Sequence, residues 1–202
     1  MIGLLYYNIL SLIQMGHGPK GAAITSLICT AIMIFFLLLV GAIMNGLQRL
    51  QINLLEKAFG QKAALFICNY ITIPGTILHE SAHALFGLCT GAKVTEISYL
   101  DTKGDSLGHI SYIPRGNPFF KAIQHTMIAC APVFAGFIAE YFLIRGIFYG
   151  GFSIWADIGL WYLVVSVADH MSMSSIDIKH YFQGMWAVAP LVFTAFFLYG
   201  FI

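Results

Sequence analysis

Residues 24–44 read ITSLICTAIMIFFLLLVGAIM and contain no charged side chain. A helix needs about 20 consecutive apolar residues to cross the hydrocarbon core of a bilayer, so this stretch predicts a transmembrane helix. The rest of the chain has the same character, since 59% of its 202 residues are hydrophobic and only 9% are charged. A soluble domain has roughly 25% charged residues. We therefore expect a polytopic protein embedded in a lipid bilayer.

Four more apolar stretches predict further helices. The second stretch covers residues 63–90 and is interrupted by Pro74 and Gly75, which disturb a helix. The others cover residues 123–144, 152–168 and 185–202, with connections at 146–151 and 171–184. Residues 1–15 are apolar but short for a perpendicular span. We expect them to form a sixth element, which is an interfacial helix, a re-entrant helix or a short tilted span.

The segment at residues 92–114 has a different pattern. AKVTEISYL and GHISYIP are short β-prone runs on either side of the turn-forming residues DTKGDS, which predicts a β-hairpin. The chain shows neither an internal repeat nor a low-complexity linker. We therefore expect one membrane-embedded domain over residues 1–202. Its fold class is all-α and polytopic, with about five to six transmembrane helices in one bundle and a small β-hairpin after the second stretch.

The charge pattern excludes one class of partner. The formal net charge is +1, which gives neither a basic surface for nucleic acid nor an acidic tail. We expect no nucleic-acid partner, and the charges do not define an oligomeric state. The number of apolar stretches indicates a multi-pass protein, which we place in the cell membrane of a prokaryote.

The sequence His79-Glu80-Ser81-Ala82-His83 fits the HExxH pattern. Side chains four residues apart lie on one face of a helix, about 5–6 Å apart, so both imidazoles can bind one zinc ion. Glu80 is then held beside the ion, where it can take a proton from the attacking water and deliver it to the leaving amine. The alternative is that both histidines bond to neighbouring helices. Three ionisable residues so close together in an apolar helix favour a shared ligand.

A catalytic zinc ion usually has three protein ligands and one open position, so a third ligand is needed. Since successive helices alternate in direction, the end of the second stretch, the hairpin and the connection at 171–184 should share one side. The candidates on that side are His109, His125, Asp169, His170, Asp177 and His180. Asp177 lies in SMSSIDIKHYF, a polar interruption that can turn inward. For Asp169 and His170 a solvated helix end is the ordinary explanation, and for His109 and His125 an ordinary hydrogen bond.

The sequence LHESAHALFGLCTGAKVTEISY, followed by GHISY and ACAPVFAG, resembles the intramembrane metalloproteases of the site-2 protease type. The resemblance covers roughly residues 74–179. In that family the third zinc ligand is an aspartate on a later transmembrane segment, and MSSIDIKHY resembles the corresponding motif. The resemblance therefore implies Asp177 as the third ligand. It also implies that the hairpin binds extended substrate by strand addition, the alternative being a simple connecting loop.

The motif and the resemblance together predict a zinc metalloendopeptidase with one Zn²⁺ per chain. Its substrate would be a membrane-spanning or membrane-proximal protein or peptide. The alternative is a non-proteolytic metal-binding membrane protein, either a transporter or an inactive protease-like scaffold. Glu80 favours the enzyme, because two histidines and an aspartate can bind a metal ion without that carboxylate.

Overall fold

The computed structural model describes residues 19–100 and 108–199, which are mostly helical. The helices are α1 (Pro19–Phe59), α2 (Gln61–Phe66), α3 (Ile73–Cys89), α4 (Pro118–Tyr149), α5 (Ile154–Asp169) and α6 (Ser175–Tyr199). One turn of π-helix, Ile67–Ile71, lies between α2 and α3, and the strands β1 (Lys93–Ser98) and β2 (His109–Ile113) lie between α3 and α4. The expected element at residues 1–15 and the hairpin turn DTKGDS lie outside the described residues.

Among the described residues, α1, α4 and α6 are long and apolar enough to cross a membrane. They carry large apolar side chains on their surface, such as Phe35 and Leu39 on α1, as expected of helices that face lipid. Helices α3 and α5 have 17 and 16 residues. At 1.5 Å per residue these lengths are about 24–26 Å, shorter than a hydrocarbon core of about 30 Å. The structure therefore shows three candidate spans and does not confirm five to six.

The last helix begins earlier than the sequence predicted. The expected connection at residues 171–184 is mostly helical, because α6 begins at Ser175. The hydroxyl of Ser174 accepts a hydrogen bond from the backbone N–H of Asp177 at 3.1 Å, and Asp177 Oδ2 accepts one from the backbone N–H of Ser174 at 2.9 Å. This reciprocal pair is a capping box, which satisfies backbone donors at a helix start. The polar sequence SSID thus starts a helix instead of interrupting one.

Close contacts fix α6 between α1 and α4. At Gly184 a Cβ atom would collide with the carbonyl oxygen of Ala122 and the hydroxyl of Thr126, so only glycine allows this approach of α6 to α4. Small residues at helix contacts serve this purpose in membrane proteins. On the same helix, Tyr181 donates a hydrogen bond from its hydroxyl to the Ile34 carbonyl of α1 at 2.9 Å. The second and third turns of α6 are therefore held against α1 and α4.

Strands β1 and β2 pair antiparallel, which confirms the two strands of the predicted hairpin. Val94 lies opposite Tyr112, and Ser98 lies opposite His109. Ile110 and Tyr112, two residues apart on one face of β2, both line a cavity that also contains side chains of the HExxH motif. The sheet therefore forms one wall beside helix α3.

Candidate metal centre

Helix α3, which carries the HExxH motif, is fixed at its start to α5. Pro74 lies in its first turn, where a proline's missing N–H costs no helical hydrogen bond. The N–H of Gly75 donates to the hydroxyl of Ser166 at 2.9 Å, and that hydroxyl donates to the Thr72 carbonyl at 2.9 Å. A Cβ at Gly75 would collide with the Ser166 carbonyl oxygen. The interruption expected at Pro74 and Gly75 is therefore the point where α3 begins and touches α5.

Both histidines of the motif are oriented by backbone carbonyls of other helices. His79 Nδ1 lies 2.6 Å from the carbonyl oxygen of His170, at the end of α5, and His83 Nδ1 lies 2.7 Å from the carbonyl oxygen of Ile128 on α4. A carbonyl oxygen can only accept a hydrogen bond, so each Nδ1 carries hydrogen. Each neutral ring then has a lone pair at Nε2. This is the tautomer that binds a metal ion through Nε2.

Pro132 explains why the Ile128 carbonyl is available to His83. In a regular helix that carbonyl would accept a hydrogen bond from the N–H four residues later. The residue four positions later is Pro132, which is buried inside α4 and has no N–H. The carbonyl accepts from His83 instead. A backbone carbonyl freed by this proline therefore orients one of the two histidines.

The two Nε2 atoms of His79 and His83 face each other at 3.1 Å. Their lone pairs repel at this separation unless a proton or a metal ion lies between them. A tetrahedral zinc ion with bonds of about 2.0–2.1 Å holds two ligand atoms about 3.3 Å apart. The observed separation therefore suits two ligands of one ion.

Asp177 completes the cluster. Its Oδ1 lies 3.6 Å from His83 Nε2, and one ligand atom from each of Asp177, His79 and His83 lies within 4.8 Å of the others. The other oxygen, Oδ2, accepts the capping hydrogen bond from Ser174. The capping box therefore holds the carboxylate so that Oδ1 is left for the two imidazoles.

These three residues could hold one metal ion. Two imidazole nitrogens and one carboxylate oxygen form a donor set found in catalytic zinc sites, which keep a fourth position open. Each of the three side chains also forms a hydrogen bond to a backbone group through its other nitrogen or oxygen atom. Such bonds are usual around metal ligands. The residues present therefore fit zinc. The HExxH spacing grouped His79 with His83, and the resemblance implied Asp177. The structure brings the three together, while their action as zinc ligands stays a prediction.

Glu80 lies beside this cluster. Glu80 is only 7% exposed. It lines a cavity of about 270 Å³ together with the three candidate ligands. Gly108, just before β2, packs against it. A Cβ at Gly108 would lie 2.8 Å from Cγ and 3.0 Å from Oε1 of Glu80. The glycine therefore leaves the room that the Glu80 carboxyl group occupies.

The other aspartate and histidine at the end of α5 have structural partners. Asp169 Oδ2 accepts a hydrogen bond from Gln51 of α1 at 2.9 Å. The ring of His170 bonds to the Ser166 carbonyl at 2.9 Å and to the Thr76 hydroxyl at 3.0 Å. Both residues are half-buried at the helix end, and each is bonded within the protein. His170 contributes to the site through its carbonyl oxygen.

Sequence reasoning missed Tyr112, which links two of the remaining histidines. Its hydroxyl lies 3.0 Å from Nδ1 of His125 and 3.0 Å from Nδ1 of His180. Burial, with a smaller effect of the Asp177 carboxylate, raises the pKa of Tyr112 to about 12, so the phenol keeps its proton at neutral pH. A signal was available, because the alternation of side chains along β2 places Tyr112 on the same face as Ile110.

Comparisons of the chain with models of known protein families, with curated proteins and with solved structures gave no match.

Proposed function

We propose that the chain is an intramembrane zinc metalloendopeptidase, of the site-2 protease type that its motifs resemble. The observation that carries this proposal is the cluster of His79, His83 and Asp177 with Glu80 beside it. The surrounding protein is apolar and mostly helical, with three candidate membrane spans among the described residues. Ionisable groups in such surroundings generally serve a function.

Glu80 acts as the general base. When bound, zinc is a Lewis acid that activates water and polarises a peptide carbonyl. Glu80 takes the proton of the attacking water and delivers it to the nitrogen of the leaving amine. His79, His83 and Asp177 hold the ion, and the carbonyls of His170 and Ile128 hold the two imidazoles. Glu80 has no part in binding the ion, which separates its role from theirs.

We further propose that α3 and α5 lie within the bilayer beside the three candidate spans. Helix α3 follows α2 and the π-helical turn with little interruption, so residues 61–89 form one apolar helical segment. Helix α5 is held against α3 by the contact between Gly75 and Ser166. This arrangement gives five helices in the membrane and places the metal centre between them.

The substrate is a membrane-spanning or membrane-proximal peptide in extended form. A protease needs its substrate extended, and each strand of the two-stranded sheet has one edge outside their mutual pairing. An extended peptide can add to such an edge through backbone hydrogen bonds. Since β2 lines the cavity that contains Glu80, a peptide added along the sheet reaches the candidate catalytic residues.

Zinc content and peptide cleavage test the proposal together. Purified wild-type protein should hold about one zinc ion per chain, and His83→Ala should lose most of it, as measured by elemental analysis. Wild type and Glu80→Gln would then be reconstituted in liposomes with a set of single-span peptides in isotope-labelled water. Wild type should produce peptides whose new carboxyl terminus carries one labelled oxygen, detected by mass spectrometry.

The Glu80→Gln variant is the matched comparison, because it keeps the shape of the side chain and removes the base. It should retain zinc and fold but yield no labelled product. Equal cleavage by both proteins would exclude Glu80 as the base. Zinc binding by a wild type that cleaves none of the peptides would favour the non-proteolytic alternative, and retention of zinc by His83→Ala would remove the metal centre itself.

A further inference from the structure

Tyr112 lies at the centre of a hydrogen-bonded chain that joins three elements. Its hydroxyl, on β2, is 3.0 Å from His125 Nδ1 on α4 and 3.0 Å from His180 Nδ1 on α6. Tyr112 and His180 line the cavity that contains Glu80 and Asp177. These hydrogen bonds therefore connect a residue of the cavity wall, His180, to β2 and α4.

The number of hydrogens limits how Tyr112 can bond to the two histidines. The Tyr112 phenol has one hydrogen, so it donates to one histidine and accepts from the other. If it donates to His180, then His180 Nδ1 has a lone pair and its hydrogen is on Nε2. His125 then donates to the phenol from Nδ1. The reverse order would leave a lone pair at His180 Nε2.

The charges around the cavity favour the first order. His180 lines the same cavity as the carboxyl groups of Glu80 and of Asp177, which lies one helical turn earlier on α6. Carboxyl groups in the same cavity favour an N–H over a lone pair at the imidazole nitrogen that Tyr112 does not engage. Since Nδ1 of His180 is engaged with Tyr112, Nε2 is the nitrogen left for a ligand in the cavity.

We propose that His180 is a further catalytic residue, which donates a hydrogen bond from Nε2 to the carbonyl oxygen of the peptide bond being hydrolysed. Tyr112 and His125 are positioning residues that hold His180 in the donating tautomer. This inference rests on the proposed proteolytic function and adds to it the group that recognises the scissile carbonyl.

The step balances without a proton transfer from His180. The oxygen of the attacking water forms a bond to the carbonyl carbon, and the electron pair of the C=O π bond moves to the carbonyl oxygen. Glu80 takes one proton of the water. The electron pair on the carbonyl oxygen then re-forms the C=O bond, the C–N bond breaks with its electron pair on nitrogen, and that nitrogen takes the proton from Glu80 to leave as an amine. The N–H of His180 stabilises the negative charge that develops on the carbonyl oxygen, as preorganised donors do in other hydrolases.

A purely structural role makes different predictions. If the hydrogen bonds of Tyr112 only hold β2 against α4 and α6, their loss would reduce the stability of the protein and its zinc binding together. It would also affect substrate and transition-state analogue alike. A donor to the developing charge affects the analogue much more than the substrate, because that interaction is stronger in the transition state than in the bound substrate.

The experiment uses the full, zinc-loaded protein in liposomes with a single-span peptide that wild type cleaves. His180→Ala should keep about one zinc ion and lower kcat by about 100-fold or more, with KM changed by less than about threefold. It should also weaken binding of a phosphonamidate analogue of that peptide by a factor similar to the loss in kcat. Tyr112→Phe should lower kcat by about tenfold, and Tyr162→Phe, which removes an exposed hydroxyl bonded to the Ile71 carbonyl, should match wild type.

Two further measurements separate positioning from structure. Because Tyr112 acts through His180, adding Tyr112→Phe to His180→Ala should cause no additional loss of kcat. Nuclear magnetic resonance of isotope-labelled histidine in wild-type protein should show His180 with hydrogen on Nε2, and this signature should be lost in Tyr112→Phe. The spectroscopic result does not depend on whether a substituted protein folds well.

Several outcomes would overturn the inference. Wild-type kcat in His180→Ala, an additive loss in the double variant, or hydrogen on Nδ1 of His180 in the wild type would each do so while leaving the proteolytic function intact. If wild type cleaves no peptide, the proposed function fails and this inference fails with it. If His180→Ala weakened peptide binding and analogue binding equally, the hydrogen bonds among Tyr112, His125 and His180 would have a structural role only.

Discussion

Replacing Pro132 by alanine should weaken zinc binding although this residue is not one of the candidate ligands. The substitution restores an N–H four residues after Ile128, and that N–H can donate to the Ile128 carbonyl. The same carbonyl orients His83 through a hydrogen bond of 2.7 Å. A second donor on this oxygen draws it back along the axis of α4 and weakens its hydrogen bond to the His83 imidazole.

The size of the effect follows from the position of the hydrogen bond. Removing a hydrogen bond that orients a metal ligand typically lowers metal affinity by about 10–100-fold, which is about 1.4–2.7 kcal/mol. We expect Pro132→Ala to fall in this range. The stability of the metal-free protein should not fall in parallel, because the substitution adds a helical hydrogen bond that proline cannot make.

Competition with a chelator of known zinc affinity measures the effect directly. Pro190→Ala is the matched control, because Pro190 also lies inside a helix, α6, but is exposed and lies outside the metal centre. Pro190→Ala should bind zinc as wild type does. An affinity of Pro132→Ala within about threefold of wild type would refute the reasoning, and an equal loss in both variants would show a general effect of helix shape.

Three further changes test how the ligands are placed. Asp177→Ala should reduce zinc affinity by more than the roughly 10–100-fold expected for an outer contact and abolish cleavage, whereas Asp169→Ala should change only thermal stability; equal zinc loss in the two variants would contradict the choice of Asp177. Ser174→Ala removes one half of the capping box and should lower the free energy of unfolding by about 1 kcal/mol, measured by denaturation, with a smaller loss of zinc affinity than Asp177→Ala; an unchanged stability would mean that the cap contributes nothing. Gly75→Ala should destabilise the protein by about 1–3 kcal/mol, because its methyl group would meet the α5 backbone, and a variant as stable as wild type would contradict that close contact.

The local parts of this structure were readable from the sequence. Charge-free residues 24–44 predicted a membrane helix and lie within α1, and the alternating residues around DTKGDS predicted the two strands. The HExxH spacing grouped His79 and His83, since neighbours on a helix face follow from the helical repeat alone. The capping box SSID was also local, and noticing it would have placed the start of α6 correctly.

The remaining parts depend on contacts between distant segments. The carbonyl that orients His79 belongs to His170, and it reaches that position only because Gly75 allows α3 to approach α5. Likewise, the bond between Tyr112 and His180 requires β2 and α6 to pack on the same cavity. Such contacts are set by the packing of whole helices, which side-chain periodicity within one segment does not specify.

The use of backbone carbonyls to hold His79 and His83 has an electrostatic consequence. Metal-binding histidines are commonly oriented by either carboxylates or carbonyls. A divalent ion at the proposed site would already have the carboxyl groups of Asp177 and Glu80 nearby to balance its charge. Orienting both imidazoles with further carboxylates would leave the centre negatively charged, which is costly in an apolar bundle. Carbonyls from α4 and α5 fix the same tautomer without adding charge, so the centre can stay neutral and still keep both imidazoles in place.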